Sequence, residues 1–145
     1  MKSDDRANQA IEYFNHGFNC AQAVLSAYCE EFGLARETAL NLSCGLGAGM
    51  GRLSHVCGAV SGAYLVIGLK FGQSLPDDKE AKEKTYALVQ AFSKRFEARN
   101  GSTICRDLLG VELLSGDKVI AAERVKSVCP KMVRDAVEII EELLF

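Results

Sequence analysis

Between Val56 and Phe71 the chain reads VCGAVSGAYLVIGLKF, with no charge before Lys70. Wound as a helix, this segment has no polar face. A helix that is apolar all round belongs in an interior, with other elements packed on every side. Gly58, Ser61, Gly62 and Gly68 interrupt the run, and the fourteen residues from Val56 to Leu69 are too few to cross about 30 Å of hydrocarbon. The segment therefore predicts a buried central helix at about residues 54–72, capped by Ser54, rather than a membrane span. Gly58 and Gly62, followed by Ala59 and Ala63, leave one side of it low enough for another backbone to approach closely.

The neighbours of that segment have the amphipathic character such an arrangement requires. Asp4 or Asp5 can cap a first helix with Ala7, Ala10, Ile11 and Phe14 on one side, ending at His16-Gly17. Asn19 is a good N-cap for a second helix, which runs to about Phe32 and stops at Gly33. Residues 36–43 suit a short helix. Pro76-Asp77-Asp78 opens a long one to about Arg99, with the stripe Tyr86, Val89, Phe92 and Phe96. Ser102 or Thr103 begins one or two turns ending at Leu109. Residues 116–127 form a further helix. Cys129-Pro130 then opens the last, with Val133, Ala136, Val137, Ile140 and Leu144 inward. No alternation of period two appears. The expectation is an all-α, compact helical bundle around the central helix, with residues 1–145 as a single helical domain.

Composition removes several functions. The 145 residues carry 17 Lys+Arg against 19 Asp+Glu, a formal charge of −2, so no basic excess is available for phosphates and nucleic acid is not an expected partner. The N-terminus Met1-Lys2-Ser3-Asp4-Asp5-Arg6 lacks the apolar stretch of a secretory signal. The chain is expected to be cytoplasmic and not membrane-spanning. In a reducing cytosol its six cysteines call for packing, metal binding or redox chemistry rather than structural disulfides.

None of the six lies in a C-x-x-C pair, which excludes zinc ribbons, thioredoxin motifs and ferredoxin runs as local motifs; without C-x-x-C-H there is no c-type haem. Any joint site must be assembled from distant parts of the chain. Cys29 falls on the inward side of the second helix and reads as a core residue. Cys20, Cys57, Cys105 and Cys129 all fall at expected helix N-termini, where the helix dipole favours a thiolate, the form that is both redox nucleophile and soft-metal ligand. Cys44 lies outside this set. His55, two residues before Cys57, is at most an accessory group, and nothing is assigned to His16.

The run Gly45-Leu46-Gly47-Ala48-Gly49-Met50-Gly51 does not fit a dinucleotide fingerprint: the register fails and no strand precedes it. A Walker loop fails for want of Gly-Lys-Ser/Thr. The run reads as a sharp turn using positive φ. It also offers an open backbone near the thiols, so Gly47, Gly49, Gly51 and Gly58 join the candidate site, and Arg52 stands beside it.

At Cys57-Gly58-Ala59-Val60-Ser61-Gly62 the sequence carries C-G-A-x-x-G, with a cysteine upstream at Cys20 and two downstream at Cys105 and Cys129. Phe18-Asn19-Cys20-Ala21-Gln22, Gly47-Ala48-Gly49-Met50-Gly51-Arg52 and Cys105-Arg106-Asp107-Leu108-Leu109-Gly110 flank it in order. In these blocks the chain resembles the redox-active protein family tagged C_GCAxxG_C_C, although it reads CGA where the tag reads GCA. The resemblance implies a small domain with Cys20, Cys57, Cys105 and Cys129 as signature cysteines. It also implies genes near transporter loci, hence a redox partner of unknown identity in a transporter-associated setting. A similar domain accompanies haem in split-Soret cytochromes, where it is associated with iron–sulfur binding. The leading expectation is a cysteine-based redox or electron-transfer protein. Its four thiols would hold an iron–sulfur cluster or another thiolate-bound metal, or cycle as dithiol/disulfide pairs. The alternatives are a non-catalytic zinc or copper(I) module, or a helical interaction domain with inert cysteines. Whether the chain is an enzyme stays open, as does its oligomeric state.

Overall fold

A computed structural model describes residues 2–145 and is all-α. Its helices are α1 (Ser3–Asn15), α2 (Cys20–Tyr28), α3 (Arg36–Ser43), α4 (Gly58–Phe71), α5 (Lys79–Asn100), α6 (Cys105–Leu109) and α7 (Lys118–Leu144). A 3₁₀ turn, Cys29–Phe32, extends α2 and is closed by Gly33 at φ 78°. A second, Cys44–Leu46, leads into a turn at Gly47–Gly51. No described helix is long and apolar enough to cross a membrane.

The apolar segment is central, as its composition requires. Val60, Val66 and Ile67 of α4 are fully buried, and its sides are covered by α2, α5 and α7. Each such side chain contributes roughly 1.5–3 kcal/mol by leaving water. The closest neighbour is α2, all nine residues of which are buried. A Cβ at Gly58 would lie 3.0 Å from the Ala21 amide nitrogen, and one at Gly62 2.9 Å from the Ala21 carbonyl oxygen. The two backbones touch there, and only glycine fits. Phe92 and Phe96 of the α5 stripe are buried and stack at 5.9 Å, Val89 is half-buried, and Tyr86 is half-exposed.

Several helix boundaries differ from the sequence expectation. Helix α1 is capped by Lys2 without a side-chain bond, so Asp4 and Asp5 act through the dipole of its first turn. Ser54 does not cap α4: its φ is +61°, and Cys57 is the N-cap. The short α6 is capped by Ile104, whose amide donates to the Ser102 hydroxyl at 3.0 Å. The two helices expected across residues 116–144 are one. Pro130 lies inside α7, and Cys129 is in mid-helix rather than at an N-terminus. The reason is the buried stripe Ala121, Cys129, Met132, Val133, Ala136 and Ile140, which keeps its register across the proline. Burying that continuous stripe outweighs the one intrahelical hydrogen bond that Pro130 cannot donate.

Replacing Val60 or Ile67 by Asp should unfold the protein or drive aggregation, because either position offers an ionised carboxylate neither water nor a partner. Circular dichroism and thermal melts of the two variants check this; normal stability in both would contradict the central role of α4.

Candidate functional site

Each of the four separated cysteines is fixed by a different local device. Cys20 is the first residue of α2, directly after a capping box. The Asn19 carboxamide oxygen accepts from the Gln22 amide at 3.0 Å, and the Asn19 amide donates to Gln22 Oε1 at 3.0 Å. The other half of the Asn19 side chain, Nδ2, donates to the Cys44 carbonyl at 2.9 Å. Cys57 and Cys105 are held at opposite corners of a short antiparallel clip. The Cys57 amide donates to the Thr103 carbonyl at 2.8 Å, the Cys105 amide to the His55 carbonyl at 2.6 Å, and Val56 pairs with Ile104 between them. Cys129 is presented from the middle of α7.

The glycine run forms one side of the site, in an unusual backbone state. Ala48, Gly49, Met50, Gly51 and Arg52 have φ of 57°, 65°, 68°, 61° and 70°, and Ser54 follows at 61°. This is a left-handed turn, and its non-glycine residues each cost about 1–2 kcal/mol. Such strain persists only where the surroundings hold it. Here the His55 amide donates to the Gly49 carbonyl at 2.9 Å. The buried Ser54 hydroxyl accepts from the Leu113 amide at 2.9 Å, and the Ser54 carbonyl accepts from the Arg106 amide at 3.3 Å. Gly49 lies directly against Cys105, where an added Cβ would meet Cys105 Cβ at 2.7 Å. Sequence pattern gave no sign of Ser54 in this bracing role, since a left-handed serine has no local signature.

Cys20, Cys57, Cys105 and Cys129 border one cavity of about 290 Å³. Gly49, Gly58 and Ala48 also face it, and most of the remaining lining is apolar: Phe14, Phe18, Leu109, Leu113, Val125 and Met132. Gly47 is not on the cavity, but a Cβ there would overlap the Asn19 side chain. Gly51 is exposed and away from it. Cys29 is fully buried elsewhere in the core, its thiol directed to the Ser26 carbonyl at 3.6 Å, and Cys44 is exposed. His55, Arg52 and His16 are exposed and do not line the cavity.

All six thiols are free. Among the described residues, no three His, Cys, Asp or Glu side chains come together in a way that could hold a metal ion. Burial dominates the electrostatics, against the expectation that helix N-termini would favour thiolates. The Cys57 thiol is pushed up to about 12 by desolvation, which the Ala59 and Val60 amides of the first turn of α4 only partly oppose. Desolvation likewise raises Cys105 to about 11. Cys20 is raised by donating its hydrogen bond to Cys129 and then by burial. Cys129 is lowered, because that bond stabilises its thiolate. Of the four cavity thiols, the one with a depressed pKa is thus the one in mid-helix.

The model of a family described as "Putative redox-active protein (C_GCAxxG_C_C)" matches residues 18–143. No curated protein and no solved structure matches.

Cys57 and Cys105 release protons in the unfolded chain at lower pH than in the folded one. Their contribution to stability is therefore complete below the ordinary thiol range and is lost as pH rises through about 11 to 12. Urea unfolding of the reduced protein should show a midpoint that falls between pH 9 and 11. The fall should be shallower in a Cys57→Ala/Cys105→Ala protein; equal slopes would contradict the assigned burial effect.

Proposed function

The chain belongs to this family of redox-active cysteine proteins, and we propose that Cys20, Cys57, Cys105 and Cys129 form one redox centre that binds an iron–sulfur cluster through their thiolates. The observation that carries the reading is selective convergence. The four signature cysteines, and neither Cys29 nor Cys44, border a single largely apolar cavity. The donor set is chemically suited to iron and sulfide, since thiolates are the usual ligands of such clusters. The present thiol positions do not suit one ion, whereas a cavity of about 290 Å³ has room for a group of several atoms. When bound, the group would supply one-electron exchange at a potential set by its charge, hydrogen bonds and solvent exposure. The chain's own contributions are to exclude water with Phe14, Leu113 and Met132, and to place the N-termini of α2 and α4 beside a negatively charged site. Binding must release the thiol protons, which makes loading favour higher pH. A redox centre also requires a partner that gives or takes electrons, and the family resemblance suggests a transporter-associated one.

A second reading rests on Cys20 and Cys129, which line the same cavity and whose titrations are linked, Cys20 raised and Cys129 lowered. In it the Cys129 thiolate attacks a partner disulfide, Cys20 then displaces the partner's thiol, and two electrons and two protons pass to the partner as a Cys20–Cys129 disulfide forms.

Anaerobic reconstitution with ferrous iron and sulfide separates the readings. The wild-type protein should gain visible absorption, retained in Cys29→Ala and Cys44→Ala and lost in Cys57→Ser and Cys105→Ser with the helical content unchanged. A folded wild-type protein that stays colourless would overturn the cluster. Stoichiometric formation of a Cys20–Cys129 disulfide by an oxidised dithiol reagent would then support the second reading.

A further inference from the structure

Asn19 joins two parts of the cavity wall that the sequence separates by some 25 residues. Through its Oδ1 it caps α2 immediately ahead of Cys20. Through its Nδ2 it holds the Cys44 carbonyl at 2.9 Å, at the foot of the left-handed turn. The fit is close. The Asn19 side chain fills the space where a Cβ of Gly47 would be, and Gly47 is the residue from which the turn begins. Two residues on, Gly49 packs against Cys105. Asn19 itself faces the cavity.

The turn needs such a restraint. Ala48, Met50 and Arg52 hold left-handed backbone without being glycine, so the turn does not keep its shape by local preference. Its far end is braced by Ser54 and by the His55–Gly49 bond. Its near end has the Asn19–Cys44 hydrogen bond.

We propose that Asn19 is a positioning residue of the thiol cavity, one carboxamide that seats Cys20 with its oxygen and latches the wall over Cys105 with its nitrogen. Its importance for a redox centre rests on the reading given above. The latch itself is a property of the metal-free protein and can be measured without any cluster, so failure of reconstitution and failure of the latch are separate results.

The six cysteines supply the measurement. Cys44 is exposed, the four cavity thiols are nearly buried, and Cys29 is fully buried in the core. In reduced apo protein treated with iodoacetamide, Cys44 reports surface reactivity, the cavity set reports opening of the wall, and Cys29 reports global unfolding. Asn19→Asp keeps an oxygen to cap α2 and removes the nitrogen that donates to Cys44. In this variant the alkylation of Cys57 and Cys105, followed peptide by peptide, should accelerate about fivefold, the factor that one hydrogen bond of ordinary net strength, about 1 kcal/mol, carries. Cys44 should keep its wild-type rate, and the Cys57 and Cys105 rates should stay nearly flat in sub-denaturing urea while that of Cys29 climbs, because a local opening exposes little surface. Gly47→Ala attacks the latch from the other side by overlapping Asn19, and should produce the same pattern if Asn19→Asp does not fold. Unchanged cavity rates would overturn the proposal. So would Cys57 and Cys105 rates that climb with urea as steeply as that of Cys29, because Asn19 would then act only on global stability.

Discussion

The backbone contact between α2 and α4 determines where everything else in the site can be. Gly58 and Gly62 present no side chain to Ala21, and the two helices meet at van der Waals distance of their main chains. Cys20 begins one of these helices and Cys57 caps the other. Because the contact lies within a turn or two of both, bringing the backbones together also brings these thiols to one side of the bundle. A side chain at Gly62 would push the helices apart and widen the cavity. The small residues of the C-G-A-x-x-G block thus pack the two helices together and, by doing so, set where the Cys57 thiol meets the cavity.

The remaining two thiols are brought in by other forces. Cys105 depends on the antiparallel clip that pairs Val56 with Ile104 and ties the Cys57 amide to Thr103 and the Cys105 amide to His55. Cys129 depends on the long stripe of α7, which places it by helical periodicity. The cavity is therefore a junction of three kinds of order: close backbone packing, a local ladder, and an amphipathic helix. Loss of any one would leave some thiols in place and displace others.

Much of this arrangement is legible in the sequence, for reasons that differ by residue. The central helix could be read from composition, since a segment apolar on every side has few places to go. The Asn19 cap has a local signature, and the structure shows it in full. The four cysteines stand out by spacing and by resemblance, whereas the cavity they border depends on contacts between residues about 20 to 110 apart in the chain. Two local rules misled. Ser54 looks like a cap because serines before apolar runs usually are; its hydroxyl instead serves Leu113, 59 residues away. Pro130 looks like a helix start, yet the apolar stripe on both sides of it holds one helix together. The first is a long-range contact that no window of sequence contains; the second is burial of a stripe that outweighs the local preference of one proline.

The electrostatics of the cavity carry the same lesson into chemistry. Placement at a helix N-terminus favours a thiolate only where the charged form keeps enough solvation, and inside an apolar wall it does not. The first-turn amides do lower Cys57, but desolvation exceeds them. The protein thus holds at least three of its four thiols in the neutral form, with Cys129 relieved by the hydrogen bond from Cys20. Four anions around one largely apolar cavity would repel one another, which favours protonated thiols there until positive charge or oxidation takes the protons' place. Burial makes the free thiols poor nucleophiles toward casual reagents. The same burial makes any group that does replace the protons hard for water to displace. A surface thiol such as Cys44 has neither property, which is the physical distinction between it and the cavity set.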